Sequence, residues 1–390
     1  MNLYLSDMGV INALGAGKAR VRERLLEADQ SGMVSHGSLL TGRSTTVARV
    51  REELRPLPAS LAEFDCRNNR LLAAALDQIA PSVAALRATV PAERIAVVIG
   101  TSTSGIAAGE EAIVELTAKG RFPAAFHYRQ QEIGMTAELA ARYLDLPGLR
   151  YTISTACSSS AKAFASARRL FDSGRCDAAI VGGADSLCAL TLNGFDSLDS
   201  LAVDVCNPFS ANRRGINIGE GACVFLMTRS PGPVRLCGVG ESSDGYHMSA
   251  PDPDGRGAEI AMTAALGEAG LDPADIGYIN LHGTATPKND EMESRVVARL
   301  FGLDVPCGST KALIGHTLGA AGAQELGLCW LLLTGDDDRR LPRHVWDGVR
   351  DPALPPINLI DDGVRWRRDV FVSNSFAFGG SNTSVVIGRA

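Results

Sequence analysis

The chain has 390 residues, of which 45% are hydrophobic and 21% are charged, so it is long enough to bury more than one core. A formal net charge of −6 and the lack of a long run of lysines and arginines argue against a nucleic-acid partner. Residues 1–10 contain an acidic residue and lack the basic and apolar segments of a signal peptide, so the sequence predicts a cytoplasmic protein that does not contact the membrane.

Short runs of β-branched residues alternate with longer alanine-rich segments, which is typical of an α/β protein with buried strands. We predict strands at residues 94–100, 178–183, 222–228, 276–281 and 383–388. We predict helices at residues 69–79, 158–171, 257–269, 291–301 and 318–333.

The two halves of the chain contain similar segments. Residues 153–157 and 308–311 both precede an alanine-rich helical segment, and residues 99–103 and 281–286 both form a Gly/Thr loop after a strand. We therefore predict a duplicated αβ unit with a seam near residues 230–240. The expected domains are residues 1–235 and 236–390.

The 9 cysteines are scattered and include no C-x-x-C pair, so neither a metal site nor a disulfide framework is expected. Cys157 has the most suggestive setting, because it lies between a strand-like run and a small-residue helix. The N-terminus of a helix stabilises an anion, which favours the thiolate. We interpret Cys157 as a nucleophile, with a buried structural cysteine as the alternative.

Two histidines follow in the second half. His282 ends an apolar run and starts the sequence His-Gly-Thr-Ala-Thr-Pro, which places it at the carboxyl end of a strand, where open α/β sheets hold their sites. His316 lies five residues after Lys311 in a glycine-rich turn. A histidine that only fills a core is the alternative for each of them.

A glycine-bearing loop, Asn-Ser-Phe-Ala-Phe-Gly-Gly-Ser-Asn, spans residues 374–382 before the last predicted strand. Gly379 and Gly380 can adopt positive φ and bring backbone N–H groups close to a ligand. A tight structural turn is the alternative.

Taken together, these motifs resemble the β-ketoacyl-ACP synthase family. T-A-C-S-S, H-G-T-x-T-P, K-x-x-x-G-H and N-S-F-x-F-G-G-x-N occur in the family's order and spacing, over roughly residues 90–390. The resemblance implies an α/β thiolase fold, with duplicated αβ halves in five layers (α-β-α-β-α) and buried helices between two sheets. The nucleophile would belong to the first half and both histidines to the second.

The resemblance also implies an acyltransferase activity, a decarboxylative condensation with malonyl-ACP. Cys157 would attack an acyl thioester, and its own N–H group and that of Phe378 would form the oxyanion hole. His282 and His316 would stabilise the enolate formed from malonyl-ACP. Lys311 would hold the histidines in place.

Further residues take roles by the same resemblance. Glu293 is expected to pair with Lys311. The substrate-binding residues would be Thr284 and Thr286, which contact the phosphopantetheine arm, together with Ile106 and Phe195.

The implied partners are an acyl carrier protein and a second chain, in a homodimer or in a heterodimer with a ketosynthase-like chain-length factor. Phosphopantetheine would arrive on the carrier protein, and no dissociable cofactor or metal would be needed. An acidic carrier protein requires a local basic patch, whose candidates are Arg67, Arg70, Arg213 and Arg214.

The chain departs from the family at two sites. Residues 212–217 read Asn-Arg-Arg-Gly-Ile-Asn where the family usually has an Asp-containing R-D-G-F stretch, and Ala377 stands where glycine is usual. These changes put housekeeping fatty-acid elongation in doubt. The Arg-Asn-Asn-Arg run at residues 67–70 and the short length resemble specialised type II synthases, including the aryl-polyene type.

Two alternatives belong to other classes. A thiolase would need a second active cysteine near the C-terminus, and no cysteine follows Cys329. A non-catalytic chain-length factor would lack the active cysteine, and Cys157 is present.

Overall fold

The computed structural model of the chain describes residues 2–37, 39–335 and 338–390. The strands are β1 (Leu3–Asn12), β2 (Gly15–Ala16), β3 (Met33–His36), β4 (Thr45–Ala48), β5 (Ile95–Gly100), β6 (Arg150–Ile153), β7 (Ala178–Asp185), β8 (Gly221–Thr228), β9 (Val234–Ser243), β10 (Tyr278–Asn280), β11 (Cys307–Gly308), β12 (Val370–Phe376) and β13 (Ser381–Arg389).

The α-helices are α1 (Lys18–Leu26), α2 (Arg67–Leu86), α3 (Ile106–Lys119), α4 (Met135–Tyr143), α5 (Ser159–Asp172), α6 (Ala189–Ser197), α7 (Arg256–Ala269), α8 (Pro287–Phe301), α9 (Lys311–Ile314) and α10 (Ala321–Thr334). Short 3₁₀ helices lie at Ala59–Phe64, Ala92–Arg94, Tyr128–Gln130, Pro273–Asp275 and Leu318–Ala320. Within the described ranges, no helix combines the length and the apolarity that crossing a bilayer requires.

The strand order shows the predicted duplication. Across the sheet the strands run β11-β10-β12-β13-β9-β1-β8-β7-β5-β6. The main strands of the first half lie in the order β1-β8-β7-β5-β6, and those of the second half lie in the order β9-β13-β12-β10-β11. Numbered along the chain within each half, both orders read first, fifth, fourth, second, third. In each half the first two pairings are antiparallel and the last two are parallel.

The sheets of the two halves are joined at their edges. β1 pairs with β9 over a short antiparallel stretch, Leu3 opposite Leu236 to Leu5 opposite Val234. The two expected sheets are therefore joined at this edge into one 11-stranded sheet that continues through both halves. The boundary between residues 235 and 236 stays a prediction, and the break between β8 and β9 lies close to it.

Helices lie on both sides of each half-sheet and between the halves. α2 and α4 cover the outer face of the first half, and α7 covers the outer face of the second, with α8 beside it. α5 and α10 contact each other and strands of both halves, so they form the central layer. The five predicted layers are present, and large apolar clusters fill the spaces between them.

The predicted strands and helices are all found, with shifted ends. β10 is shorter than the predicted strand at 276–281, and the predicted helix at 318–333 is divided into a 3₁₀ turn and α10. α5 begins at Ser159, so Cys157 lies in the turn before the helix. The segments that look alike in sequence occupy equivalent places, because β5 and β10 are each the second main strand of their half.

Candidate active site

Cys157 lies at the junction between β6 and α5. The preceding residue, Ala156, has φ of +51°, a value that non-glycine residues rarely adopt. The side chain of Ser159 holds this turn, since its hydroxyl donates to the Ala156 carbonyl at 2.6 Å and accepts from the Thr155 N–H at 2.9 Å. The thiol is therefore fixed at the carboxyl end of a parallel strand, and only 4% of the residue is exposed.

The two predicted histidines meet this cysteine. Nε2 of His316 lies 2.9 Å from Sγ of Cys157, and the rings of His282 and His316 are 5.2 Å apart in an edge-to-face arrangement. The ligand atoms of the three side chains all lie within 4.8 Å of one another. These atoms could also bind a soft divalent metal ion, and the prediction that the site needs none is untested.

A cavity of about 260 Å³ opens onto the three side chains. Phe195, Thr284, Thr286 and Phe378, all predicted site residues, line it as well. The rings of Phe195 and Phe378 are 5.6 Å apart, and the hydroxyls of Thr284 and Thr286 are 2.9 Å apart. Ile106, the first residue of α3, does not line this cavity, so the structure does not bring it to the others.

The turn that carries His282 is held by buried carboxylates of α8. Glu293 accepts hydrogen bonds from the N–H groups of His282 at 2.8 Å and Gly283 at 2.7 Å. Asp290 accepts from the Ala285 N–H at 3.2 Å. Burial raises the pKa of Glu293 to about 7 and that of Asp290 to about 6.

The predicted pairing of Lys311 with Glu293 is wrong. Nζ of Lys311 pairs with the carboxylate of Glu325 in α10 and donates to the His282 carbonyl at 2.7 Å. Both side chains of the pair are 1% exposed. Because the carboxylate of Glu293 accepts from backbone N–H groups, Lys311 finds its partner in the central layer instead.

Burial favours the neutral forms of Cys157, His282 and His316. Burial raises the pKa of the Cys157 thiol to about 11, although the Lys311 charge and the backbone N–H groups of Phe378 and Cys157 lower it. Burial, and then the Lys311 charge, hold the pKa values of His282 and His316 well below 6.5. Backbone N–H groups favour the thiolate, but burial raises the pKa of the thiol by more.

Three of the four candidate carrier-binding arginines are engaged by carboxylates. Arg67 binds the buried Glu220, Arg70 binds Asp65, and the nearly buried Arg213 binds Asp351. Arg214 is exposed. The first two line a groove that also contains Glu52, Glu53, Glu110 and Glu111 and that does not include Cys157. The role of the four arginines in carrier binding stays a prediction, and Arg214 is the one best placed for it.

The loop at 374–382 lies beside the cysteine. Gly379 and Gly380 have φ of +84° and +75°, as predicted for this loop. Ala377 keeps a negative φ and donates its N–H to the Ser381 carbonyl at 3.0 Å. Alanine therefore replaces the family's glycine without backbone strain.

Sequence reasoning missed Glu325 and Asp290. Glu325 is the one acidic residue of α10, whose neighbours along residues 321–333 are all buried. A single charged residue within an otherwise uncharged and mostly apolar helix was the available signal, because a buried carboxylate requires a partner. Asp290 gave a weaker signal, three residues after the proline that begins α8.

Comparison with family models gives two matches that together span most of the chain. Residues 18–231 match "Beta-ketoacyl synthase, N-terminal domain", and residues 234–337 match "Beta-ketoacyl synthase, C-terminal domain". The 3-oxoacyl-[acyl-carrier-protein] synthase 2 of Rhizobium meliloti (strain 1021) is 33% identical over 326 residues, covering 75% of this chain and 73% of that protein. Nodulation protein E of Rhizobium meliloti is 35% identical over 252 residues, covering 61% of each.

Solved structures agree with these matches. The ketosynthase ApeO, in complex with its chain length factor ApeC from Xenorhabdus doucetiae, is 48% identical with a TM-score of 0.96, and the alignment covers 100% of this chain and 98% of that one. A β-ketoacyl synthase from Burkholderia phymatum STM815 is 26% identical with a TM-score of 0.86, covering 100% and 99%. On the matched models, the relatives and the shared fold, the chain belongs to the β-ketoacyl synthase family.

Proposed function

We propose that Cys157, His282 and His316 are the catalytic residues of a decarboxylative condensation between an enzyme-bound acyl group and malonyl-ACP. The observation that carries this assignment is the contact of 2.9 Å between the Cys157 thiol and His316, with His282 completing a triad within 4.8 Å. The family is that of acyl-transferring ketosynthases, and the residue roles are the part that requires testing.

In the first half-reaction the sulfur of Cys157 bonds to the carbonyl carbon of an acyl thioester. The thiol proton passes to Nε2 of His316 and then to the departing pantetheine sulfur, so the site ends neutral. The N–H groups of Cys157 and Phe378, which already act on the thiol, support the assignment of the oxyanion hole.

In the second half-reaction the bond between the malonyl carboxylate and Cα breaks, and CO₂ leaves. The electron pair forms an enolate, whose oxygen accepts a hydrogen bond from Nε2–H of His282, and one from His316 once the neutral His316 ring carries its proton on Nε2 instead of Nδ1. The enolate carbon then attacks the acyl carbonyl on Cys157, and the thiolate leaves and takes up one proton from solvent, the proton that the reaction consumes. Both histidines have low pKa values, so they supply neutral N–H donors.

The proposed partners are of the kinds found in complexes of related proteins. A carrier protein would deliver phosphopantetheine into the cavity past Thr284 and Thr286, and no cofactor bound by this chain enters the reaction. A heterodimer with a chain-length factor is favoured over a homodimer by the 48% identity to ApeO, which is described with such a factor. The same likeness supports a specialised polyene or polyketide pathway, including the aryl-polyene type, over fatty-acid synthesis.

A cytoplasmic location is part of this proposal. All of the cysteines are unpaired in the structure, as expected for a reducing compartment. A thiolase is disfavoured because Phe378 occupies the loop near Cys157, where a second cysteine would be needed.

The test separates the two half-reactions in the native oligomer. Cys157→Ala should not form an acyl-enzyme from hexanoyl- or cinnamoyl-N-acetylcysteamine, as read by mass spectrometry of the intact protein. His282→Ala should still acylate but should condense on the order of 10²-fold more slowly with malonyl-ACP. Cys329→Ala is the control and should behave as wild type. A persistent acyl adduct on the Cys157 variant would refute the assignment.

A further inference from the structure

His344, a buried histidine outside the cavity, bridges two segments that flank the His282 turn. Its Nδ1 accepts a hydrogen bond from the Ser309 N–H at 3.1 Å, and its Nε2 donates to the Pro208 carbonyl at 3.0 Å. These partners fix one neutral tautomer, with the proton on Nε2. Burial lowers the pKa of His344 to about 4, so this tautomer persists at neutral pH.

The first segment connects His344 to the turn through Ser309. The hydroxyl of Ser309 donates to the Gly283 carbonyl at 2.7 Å and accepts from the Lys311 N–H at 3.2 Å. Lys311 in turn binds the His282 carbonyl. Ser309 therefore contacts both the turn that carries His282 and the lysine that holds it.

The second segment reaches the turn from the other side. Phe209 has φ of +62° and donates its N–H to Asp290 at 2.8 Å, and the same carboxylate accepts from Ala285. A Cβ atom added at Gly283 would lie 2.6 Å from the side chain of Ser309 and 2.9 Å from the ring of Phe209. The turn is thus held closely between the two segments that His344 ties together.

We propose that His344 is a positioning residue for His282. By holding the Ser309 N–H and the Pro208 carbonyl on opposite sides of one rigid ring, it fixes the spacing of the two segments and hence the direction of the His282 imidazole. The proposal rests on the proposed role of His282 in the malonyl half-reaction. It assigns a function to a residue that lies outside all four sequence motifs.

Three variants separate the two arms of this bridge. In His344→Asn the amide oxygen takes the place of Nδ1 and keeps the acceptor for Ser309. His344→Gln places its amide nitrogen near Nε2 and keeps only the donor to Pro208, and His344→Phe keeps the ring but neither bond. We expect kcat for condensation with malonyl-ACP to fall about tenfold or more in the Phe and Gln variants, because small displacements of a positioned group are costly. The Asn variant should recover most of that loss.

Readouts other than condensation distinguish positioning from general damage. Self-acylation by hexanoyl-N-acetylcysteamine, which uses Cys157, should stay within about twofold of wild type in all three variants, and so should KM for malonyl-ACP. Thermal unfolding measures the folded fraction of each. A loss of acylation and condensation in equal proportion, or a Gln variant as active as the Asn variant, would overturn the proposal.

A double-mutant cycle with Ser309→Ala tests whether His344 acts on the His282 turn through the Ser309 side chain. It uses only variants whose folding has been verified by thermal unfolding. If His344 acts through Ser309, His344→Asn and His344→Gln should differ in kcat less in the Ser309→Ala background than in wild type. Additive effects would contradict that route. If every His344 variant condenses as fast as wild type, this inference fails and the proposed function is unaffected. The Cys157 and His282 variants test the proposed function separately.

Discussion

Replacing Lys311 with methionine should make Cys157 less reactive without touching the cavity. The ammonium is buried behind the histidines, and its charge lowers the pKa of the Cys157 thiol against the effect of burial. Without it, burial raises the pKa of Glu325 further above about 7, so that carboxyl takes up a proton and introduces no compensating charge near neutral pH.

The magnitude follows from Coulomb's law. For an assumed separation on the order of 8 Å and an effective dielectric constant of about 20, a unit charge contributes about 2 kcal/mol, which is a factor of about 30 in the thiolate population. The second-order rate of alkylation by iodoacetamide reports that population. It should rise about tenfold per pH unit in wild type between pH 7 and 10, and near pH 7 it should be about 30-fold lower in Lys311→Met.

Lys288 offers a matched control, because it is an exposed lysine that lines the same cavity. Water screens its charge, so Lys288→Met should change the alkylation rate by about twofold at most. The double variant Lys311→Met/Glu325→Gln should alkylate like Lys311→Met. Equal effects of the Lys311 and Lys288 changes, or no effect of either, would refute the electrostatic reasoning.

Three further predictions concern pH, carrier binding and the Phe378 loop. The pKa of His316 is lowered on folding, so its contribution to stability is present above pH 6.5 and is lost as the pH falls. Below pH 6.5, the free energy of unfolding measured in urea should therefore decrease less in His316→Asn than in wild type, by up to about 1.4 kcal/mol per pH unit. Parallel pH profiles for the two proteins would contradict this. Arg214→Glu should weaken carrier-protein binding at low salt and flatten its salt dependence, whereas Arg70→Glu, which mainly loses its pair with Asp65, should do so less; identical isotherms for Arg214→Glu and wild type would exclude Arg214. Ala377→Gly should loosen the loop by roughly 0.5–1 kcal/mol and shift the relative acylation rates of short and long donors, and an unchanged chain-length profile would remove Ala377 from selectivity.

The elements that sequence reasoning located best are those with a continuous apolar run. β5, β7 and β8 are buried at every position, so both faces of each strand had to be apolar. β1 was missed because Asp7 interrupts its pattern at a register shift after Leu5. That bulge lets the Asp7 carboxylate reach Ser82 at 2.5 Å and Lys18 at 2.6 Å, which are contacts that sequence alone does not show.

Some residues of the candidate site could be predicted from local sequence, and others could not. Cys157, His282 and His316 could be predicted because each follows a β-strand or a turn in a short motif, and parallel strands bring their carboxyl ends to one edge. The partner of Lys311 could not, because Glu325 reaches it from the central helix layer, a contact set by how the two halves pack. The ion pairs of the arginine patch were equally hard to predict, because Arg67 and Arg213 bind carboxylates that are distant in sequence, whereas Arg70 binds the nearby Asp65.

In the proposed reaction, the neutral forms of Cys157, His282 and His316 would let one small space serve both half-reactions. A cationic imidazole would stabilise the malonyl carboxylate and so oppose the loss of CO₂, whereas neutral N–H donors act most strongly once charge reaches the enolate oxygen. Phe376 and Phe378 line the same space and give the carboxylate little solvation. The buried charge of Lys311 points at a backbone carbonyl and at Glu325, so it disfavours protonation of the histidines without offering the substrate an ion pair. The arrangement therefore favours the transition state of decarboxylation over its carboxylate ground state.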